Sequence, residues 1–222
     1  MCGKFTAKAS WSEIVDFIYA TPPREAGDGD RNITHRVMGN LPVIVWDHVA
    51  GARRVVPMRW GFPHPQDWKR PQPIHARCET IDTTRVFADA FHDSQRGIVL
   101  VETFNEAPES GSQHIVRPAV AVGIAFVWRR FEIADMPAPL FACVMVTVPA
   151  NHLLSGLPTD RMPAILAPDD WATWLGEEPA TLEAVKACLK TVSDARWTMA
   201  PEERAKSAKR AKPTVSDPAG LF

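Results

Sequence analysis

The sequence of 222 residues lacks the features that would place it in several special classes of protein. Its four cysteines are too few for a disulfide-stabilised secreted scaffold. The longest apolar run, residues 118–128, is far shorter than the roughly 20 residues that a membrane-spanning helix needs. The 25 basic and 26 acidic side chains give a formal net charge of −1. This balance excludes a histone-like basic protein but allows a local basic groove.

Motifs for common cofactors and metals are also missing. The sequence contains no GxGxxG fingerprint, no P-loop and no GxSxG nucleophile elbow, so we expect no cofactor. His75 and Cys78 have a metal-like spacing, but no second pair lies nearby, and we expect no metal site. Residues 1–5 lack the basic-then-apolar pattern of a signal peptide, which favours a cytoplasmic protein with reduced thiols. No coiled-coil pattern or repeat is visible, and a monomer is expected.

What is present predicts an α+β fold. Hydrophobic residues make up 45% of the chain, enough for a full core. Apolar, branched runs predict strands in the middle of the chain, and helices are predicted at its edges. The predicted strands cover residues 43–46, 53–58, 98–104, 120–128 and 141–148. The predicted helices begin at the capping box Ser10 to Glu13, at Thr83 or Thr84, at Asp169 and at Pro179.

Two segments stand apart from this pattern. Residues 63–73 contain four prolines and Trp68, which predicts a long ordered loop, because proline disfavours helix and central strand. Residues 201–222 carry five Lys or Arg against three acids and few apolar side chains. We therefore predict one domain over residues 1–200, followed by a basic, loosely docked tail over 201–222.

Cys2 is the first candidate for chemistry. If Met1 is removed, Cys2 presents an α-amine and a thiol two carbons apart. Such a pair condenses with an aldehyde to a Schiff base, which the thiol closes to a five-membered thiazolidine. An α-amine has a pKa of ~7.7–8.0, so part of it is neutral and nucleophilic at pH 7. The same amine is alternatively a base for the thiol, as in N-terminal-nucleophile hydrolases.

Several short motifs occur in an order that resembles one family. These are Cys2-Gly-Lys-Phe5, Arg59-Trp-Gly-Phe62, His75-Ala-Arg-Cys-Glu-Thr80, Glu102-Thr-Phe-Asn-Glu106 and Thr159-Asp-Arg-Met-Pro-Ala-Ile-Leu166. Across about residues 1–175 the set resembles the SOS response-associated peptidase (SRAP) family. The resemblance implies a mainly antiparallel, barrel-like curved sheet with peripheral helices. It also implies capture of abasic sites in single-stranded DNA as a thiazolidine crosslink, with self-cleavage that frees Cys2.

The resemblance also assigns roles to single residues. It makes Cys2 the nucleophile and Glu106 the proton shuttle. It implies that single-stranded DNA is held by basic, aromatic and hydroxyl positions, namely Lys4, Arg36, Trp68, Arg77, Thr147 and Arg161. Arginine suits bidentate phosphate contacts, and a tryptophan can stack on any base.

This sequence departs from the family pattern at positions that lie in the family's active site. His75 replaces an asparagine, and Thr159 replaces the active-site histidine. Residues 36–39 replace an asparagine-containing loop. A threonine hydroxyl is too weak an acid to replace imidazole near pH 7. We therefore hypothesise that His75 supplies the imidazole from another wall of the site.

Three interpretations stay open on the sequence. The first is a DNA-damage protein that captures abasic sites through Cys2. The second is a thiol peptidase in which Cys2 and Glu106 act on a peptide bond. The third is a single-stranded DNA-binding module that has lost the chemistry, consistent with Thr159.

Overall fold

A computed structural model of the chain describes residues 2–7, 33–106, 113–134 and 136–202. The strands are β1 Lys4–Ala7, β2 Ile33–Arg36, β3 Asn40–Asp47, β4 Ala52–Trp60, β5 Pro63–His64, β6 Asp67–Pro71, β7 His75–Arg77, β8 Arg96–Val101, β9 Thr103–Glu106, β10 His114–Arg117, β11 Val122–Phe131, β12 Leu140–Pro149, β13 Arg161–Pro163, β14 Ile165–Leu166 and β15 Thr198–Pro201. The helices are α1 Arg85–His92, α2 Trp171–Leu175 and α3 Leu182–Ala187, with 3-10 turns at Leu154–Gly156 and Pro168–Asp170.

Five strands close into a barrel. Strands β4, β3, β8, β11 and β12 pair antiparallel in that order. Parallel pairing of β12 with β4 completes the ring, with Ala142 opposite Arg59 and Cys143 opposite Trp60. A closed ring leaves none of its strands with an unpaired edge. The predicted α+β fold with a barrel-like, mainly antiparallel sheet and peripheral helices is confirmed.

The barrel interior is filled by the branched residues that predicted its strands. All six residues of β8 are buried, as are seven of the ten in β12 and five of the ten in β11. Trp60 is fully buried and meets the Phe126 ring edge-on at 6.2 Å between centroids. Such large apolar side chains supply most of the stabilisation of a core.

A second sheet packs against the barrel. Its strand order is β15, β10, β9, β1, β2, and each adjacent pair is antiparallel. Phe5 of β1 is fully buried, and its ring centroid lies 5.1 Å from that of Trp60 in the barrel. The single strand predicted over 98–104 is wrong, because the chain bends at Glu102. Its first part, β8, stays in the barrel, and its second part, β9, enters the other sheet.

The proline-rich segment differs from its prediction. It forms a two-stranded hairpin of β5 and β6, with Pro63 opposite Pro71, where we expected a loop. The hairpin joins neither larger sheet. Proline has no N–H to donate to a ladder, which explains why these strands pair only with each other.

The short helices begin close to the predicted positions. Trp171 and Trp174 on α2 are buried, as their spacing predicts. The Thr181 hydroxyl caps α3 by accepting the Ala184 N–H at 3.2 Å. Thr84 precedes α1 but makes no side-chain cap. The helix predicted from Ser10 lies outside the described residues. Within the described ranges, no helix is long and apolar enough to span a membrane.

Gly97 marks the closest approach of β8 to β3. A Cβ added there would lie 2.4 Å from Val43 Cγ1 and 3.1 Å from the Ile44 carbonyl oxygen. Gly97→Ala should lower the free energy of unfolding by about 1–3 kcal/mol, because the backbone neighbour cannot move aside cheaply. Urea denaturation measures the change. Gly156→Ala is the matched control, since its Cβ would meet no atom within 4 Å. Equal stability of the two variants would contradict the prediction.

Candidate active site and nucleic-acid interface

Cys2 lies directly before β1 and is enclosed by protein. Only 3% of its surface is exposed. Its Sγ donates to the Lys4 carbonyl oxygen at 3.3 Å. Burial raises the pKa of the thiol to about 12, and the negative charge of Glu106 adds to the rise. The thiol is therefore protonated at neutral pH.

Glu106 ends strand β9 beside Cys2. The pairing of β1 with β9 places Lys4 opposite Asn105, which brings the end of β9 next to the start of β1. Glu106 is completely buried. A carboxyl group in a dry site next to a thiol and an amine can exchange protons with both.

His75 approaches Cys2 from the barrel side. It begins β7, which pairs in parallel with β12. The His75 Nε2 lies 2.7 Å from the Cys2 carbonyl oxygen, to which a neutral imidazole donates. Burial holds the pKa of His75 below its ordinary value, and the positive N-terminus lowers it further. Three of the four predicted catalytic residues thus meet at Cys2.

Thr159, the fourth predicted catalytic residue, makes hydrogen bonds within its own turn. Its hydroxyl donates to the Arg161 carbonyl oxygen at 3.1 Å and accepts the Arg161 N–H at 3.4 Å. In the described parts of the chain it makes no hydrogen bond to Cys2, Glu106 or His75. The hydroxyl shapes its own turn.

Arg161 is buried and forms two hydrogen bonds with the Glu79 carboxylate. Its two terminal nitrogens bind Glu79 at 2.5 and 2.9 Å, and Nη2 also donates to the Thr147 carbonyl oxygen at 2.6 Å. The hydrogen bond from Arg161 lowers the pKa of Glu79 to about 2. Thr147 itself is buried, and its hydroxyl donates to the Ala76 carbonyl oxygen. Arg77 is exposed opposite Thr147 in the β7–β12 register.

Two more predicted cations lie on the second sheet. Lys4 of β1 is the register partner of Arg36 on β2. The Lys4 ammonium forms an ion pair with Glu202, which directly follows β15. Arg36 is exposed. The two side chains therefore form a basic pair beside Cys2, and an acid is bound to one of them.

Trp68 lies on the hairpin and lines a cleft of about 620 Å³. The opposite wall contains Phe131 and Ile133. The cations of Arg59 and Lys69 lie 5.9 and 5.8 Å from the Trp68 ring centroid. An aromatic ring that lines a cleft and lies near two cations offers a surface on which a nucleobase can stack next to its phosphate.

Three residues of the site region were not singled out by the sequence. Glu79 and Glu202 bind the predicted DNA cations, and neither pairing leaves a trace in the local sequence. His114 is the third of these residues. It is half-buried and pairs with Glu106 across β9 and β10, and within the described residues its Nδ1 has no hydrogen-bond partner.

Metal ligation receives no support from the described part of the chain. Among those residues, no group of three or more His, Cys, Asp or Glu side chains converges as a metal site needs. All four cysteines are free and buried.

The fold and the site together define a small β-barrel protein built around a buried cysteine at position 2. The chain belongs to the SRAP family, "SOS response associated peptidase", whose model matches residues 1–205. Membership connects the protein with the DNA-damage response that the family name records. Among curated proteins, none matches the chain.

Solved structures show the same fold. An X-ray structure of a Bacteroides thetaiotaomicron protein matches with a TM-score of 0.78 at 16% identity, covering 91% of this chain and 92% of that one. A Bordetella bronchiseptica protein matches with a TM-score of 0.75 at 19% identity, covering 91% and 100%. A phage-related protein from the same organism matches with a TM-score of 0.65 at 17% identity, covering 91% and 95%.

The Arg161–Glu79 pair makes a testable contribution to stability. Glu79→Gln should lower the free energy of unfolding at pH 7 by about 1 kcal/mol, a value reduced because the carboxylate is half exposed. The folded-state pKa lies below the ordinary 4.5, so the stabilisation is complete above pH 4.5 and is lost as the pH falls towards 2. Urea unfolding of both proteins across this range measures the difference.

The matched control is Asp82→Asn, which removes the ion pair with Lys186. The ammonium that it releases reaches solvent, so this variant should lose less stability at pH 7. A difference between wild type and Glu79→Gln that stays constant down to pH 2 would contradict the prediction.

Proposed function

We propose that the protein captures abasic sites in single-stranded DNA as a covalent crosslink through the amine and thiol of Cys2. The carrying observation is the convergence of Glu106 and His75 on a buried Cys2. Removal of Met1 by hydrolysis of its peptide bond exposes the amine. The open form of an abasic deoxyribose carries an aldehyde, which is the reaction partner of a 1,2-aminothiol.

The reaction proceeds in two bond-forming steps. The neutral amine adds to the aldehyde carbon, and loss of water gives an imine. The thiol sulfur then adds to the imine carbon, while its proton passes to the imine nitrogen, and a thiazolidine ring results. Glu106 is placed to carry these protons, since it is completely buried and close enough to the thiol to act on it electrostatically.

The protonated thiol supports this order of events. With a thiol pKa near 12, almost no thiolate exists at neutral pH, and the amine is the first nucleophile. The same property speaks against a peptidase in which a preformed Cys2 thiolate attacks a peptide bond.

His75 positions the nucleophile. Its bond to the Cys2 carbonyl oxygen fixes the backbone from which both reacting groups project. Because its pKa is lowered by burial, the imidazole stays neutral at pH 7 and leaves Glu106 as the proton carrier.

The DNA path runs past Cys2 over the predicted cations and the hairpin. Arg36 and Arg77 are exposed to phosphates, and the cleft beside Trp68 accepts a base. Stacking and phosphate contacts discriminate little between sequences, so binding should select single-stranded DNA and not a particular base sequence. In this proposal Arg161 and Thr147 line the wall behind the site, with Arg161 held by Glu79.

Replacement of Cys2 tests the crosslink. Wild type incubated with an oligonucleotide that carries one abasic site should give a heat-stable adduct, seen by gel and by intact mass. Cys2→Ser keeps the amine but lacks the thiol, so it should give only an imine that borohydride traps. Retention of Met1 on the purified protein, or a heat-stable adduct with Cys2→Ser, would refute the proposal.

Replacement of His75 tests its positioning role. His75→Ala should slow adduct formation at least about tenfold, because the Cys2 backbone loses its anchor. Affinity for an undamaged single strand should stay unchanged, which separates positioning from DNA binding. His75→Asn, which restores a donor, should recover part of the rate. An unchanged rate in His75→Ala would show that the hypothesis is wrong.

A further inference from the structure

We propose that Glu202 occupies the phosphate position at Lys4, so that the C-terminal strand β15 competes with single-stranded DNA and sets its affinity. The inference rests on the proposed function, because it assumes that Lys4 contacts a DNA phosphate. It assigns a role to an acidic residue near the end of the matched region, 198 positions away from its partner.

The contact between the two side chains is direct. The Lys4 Nζ and Glu202 Oε1 form an ion pair and a hydrogen bond. The side chains are 15% and 27% exposed, so the pair sits at the edge of the protein and not in its core. The carboxylate takes up one of the three N–H donors of the ammonium and offsets its positive charge, which weakens its attraction for a DNA phosphate.

The backbone holds Glu202 in place through an edge strand. Among the described strands β15 pairs with β10 alone, with Pro201 opposite His114, and the Glu202 N–H donates to the Gln113 carbonyl oxygen at 2.6 Å. Three of the four residues of β15 are exposed. An edge strand with little buried surface opens at low cost, which makes displacement of Glu202 feasible.

The sheet presents a row of donors around this position. Arg36, Lys4 and Asn105 are register partners across β2, β1 and β9. Asn105 is buried, and within the described residues its Nδ2 has no hydrogen-bond partner. Arginine, ammonium and amide donors in one row form a surface for anions, and the carboxylate of Glu202 is the anion bound there.

Carboxylate and phosphodiester oxygens are chemically similar acceptors for an ammonium. Each carries one negative charge and accepts charge-assisted hydrogen bonds. Glu202 therefore lowers DNA affinity in two ways, by occupying Lys4 and by placing a negative charge next to the phosphate path.

A double-mutant cycle on DNA binding tests the inference. The probe is a fluorescent oligothymidine without abasic sites, titrated at low salt. Glu202→Gln should bind it about three to ten times more tightly than wild type, since the Lys4 ammonium is released. In the Lys4→Gln background, Glu202→Gln should give a clearly smaller gain.

The controls separate charge, fold and site. Glu178→Gln makes the same change in net charge at an exposed position after α2, and should change affinity less than twofold. Glu202→Asp keeps the charge on a shorter side chain and should bind between wild type and Glu202→Gln. The same proteins are unfolded in urea, and Glu202→Asp carries the test if Glu202→Gln is unfolded.

Three outcomes decide the matter. Equal affinities of wild type, Glu202→Gln and Glu178→Gln would overturn the inference alone, because DNA would still be bound. An equal gain with and without Lys4 would also overturn it, leaving only a long-range charge effect. Failure of every variant to bind single-stranded DNA would overturn the proposed function together with the inference.

Discussion

Strand β12 is the constraint on which the site depends, because it pairs with four other strands. Its first part pairs with β11 and, in parallel, with β4, and so closes the barrel. Its last part pairs with β7 and β13. These two short strands carry His75 and Arg161, so the same backbone that seals the core also places the imidazole at the Cys2 carbonyl and the guanidinium at Thr147. Loss of the β12–β4 pairing would open the barrel and disturb the positions of His75 and Arg161.

Burial at this junction sets the chemistry. The Phe5 ring packs against Trp60 and holds the second sheet on the barrel. Cys2, which is separated from β1 by one glycine, is buried as a result. A dry environment keeps the Cys2 thiol protonated and the His75 imidazole neutral. Such a site suits an amine-led addition, in which the thiol acts second, better than attack by a thiolate.

The cations near the site are balanced by acids from distant parts of the chain. Arg161 is bound by Glu79, and Lys4 is bound by Glu202. The net charge of −1 is therefore compatible with a local group of cations, some of which are paired with carboxylates. In the proposed DNA binding, a phosphate would replace a carboxylate as the acceptor at some cations. At exposed cations such as Arg36 and Arg77, the phosphate would have no such carboxylate to replace.

Much of the architecture could be predicted from the sequence, because strand formation depends on local side-chain type. The runs that became β3, β4, β11 and β12 supply many of the buried positions of the barrel, and most of the side chains at those positions are apolar. The bend at Glu102 was missed, since apolar side chains lie on both sides of it, Val101 before and Phe104 after, and nothing local distinguishes their sheets. Prolines correctly excluded residues 63–73 from the larger sheets, but they also concealed the hairpin, because a residue without an N–H disfavours the pairing that Pro63 and Pro71 make.

The sequence alone identified the candidate reactive group, because an amine and a thiol on one residue require only that Cys2 follows Met1. It also determined which positions depart from the family pattern, including His75 and Thr159. Only the tertiary structure decided which side chains meet Cys2, since strand pairing brings β7 and β9 to it across about 70 and 100 positions of sequence. The same holds for Glu79 and Glu202, whose partners are fixed by register and burial and not by neighbouring residues.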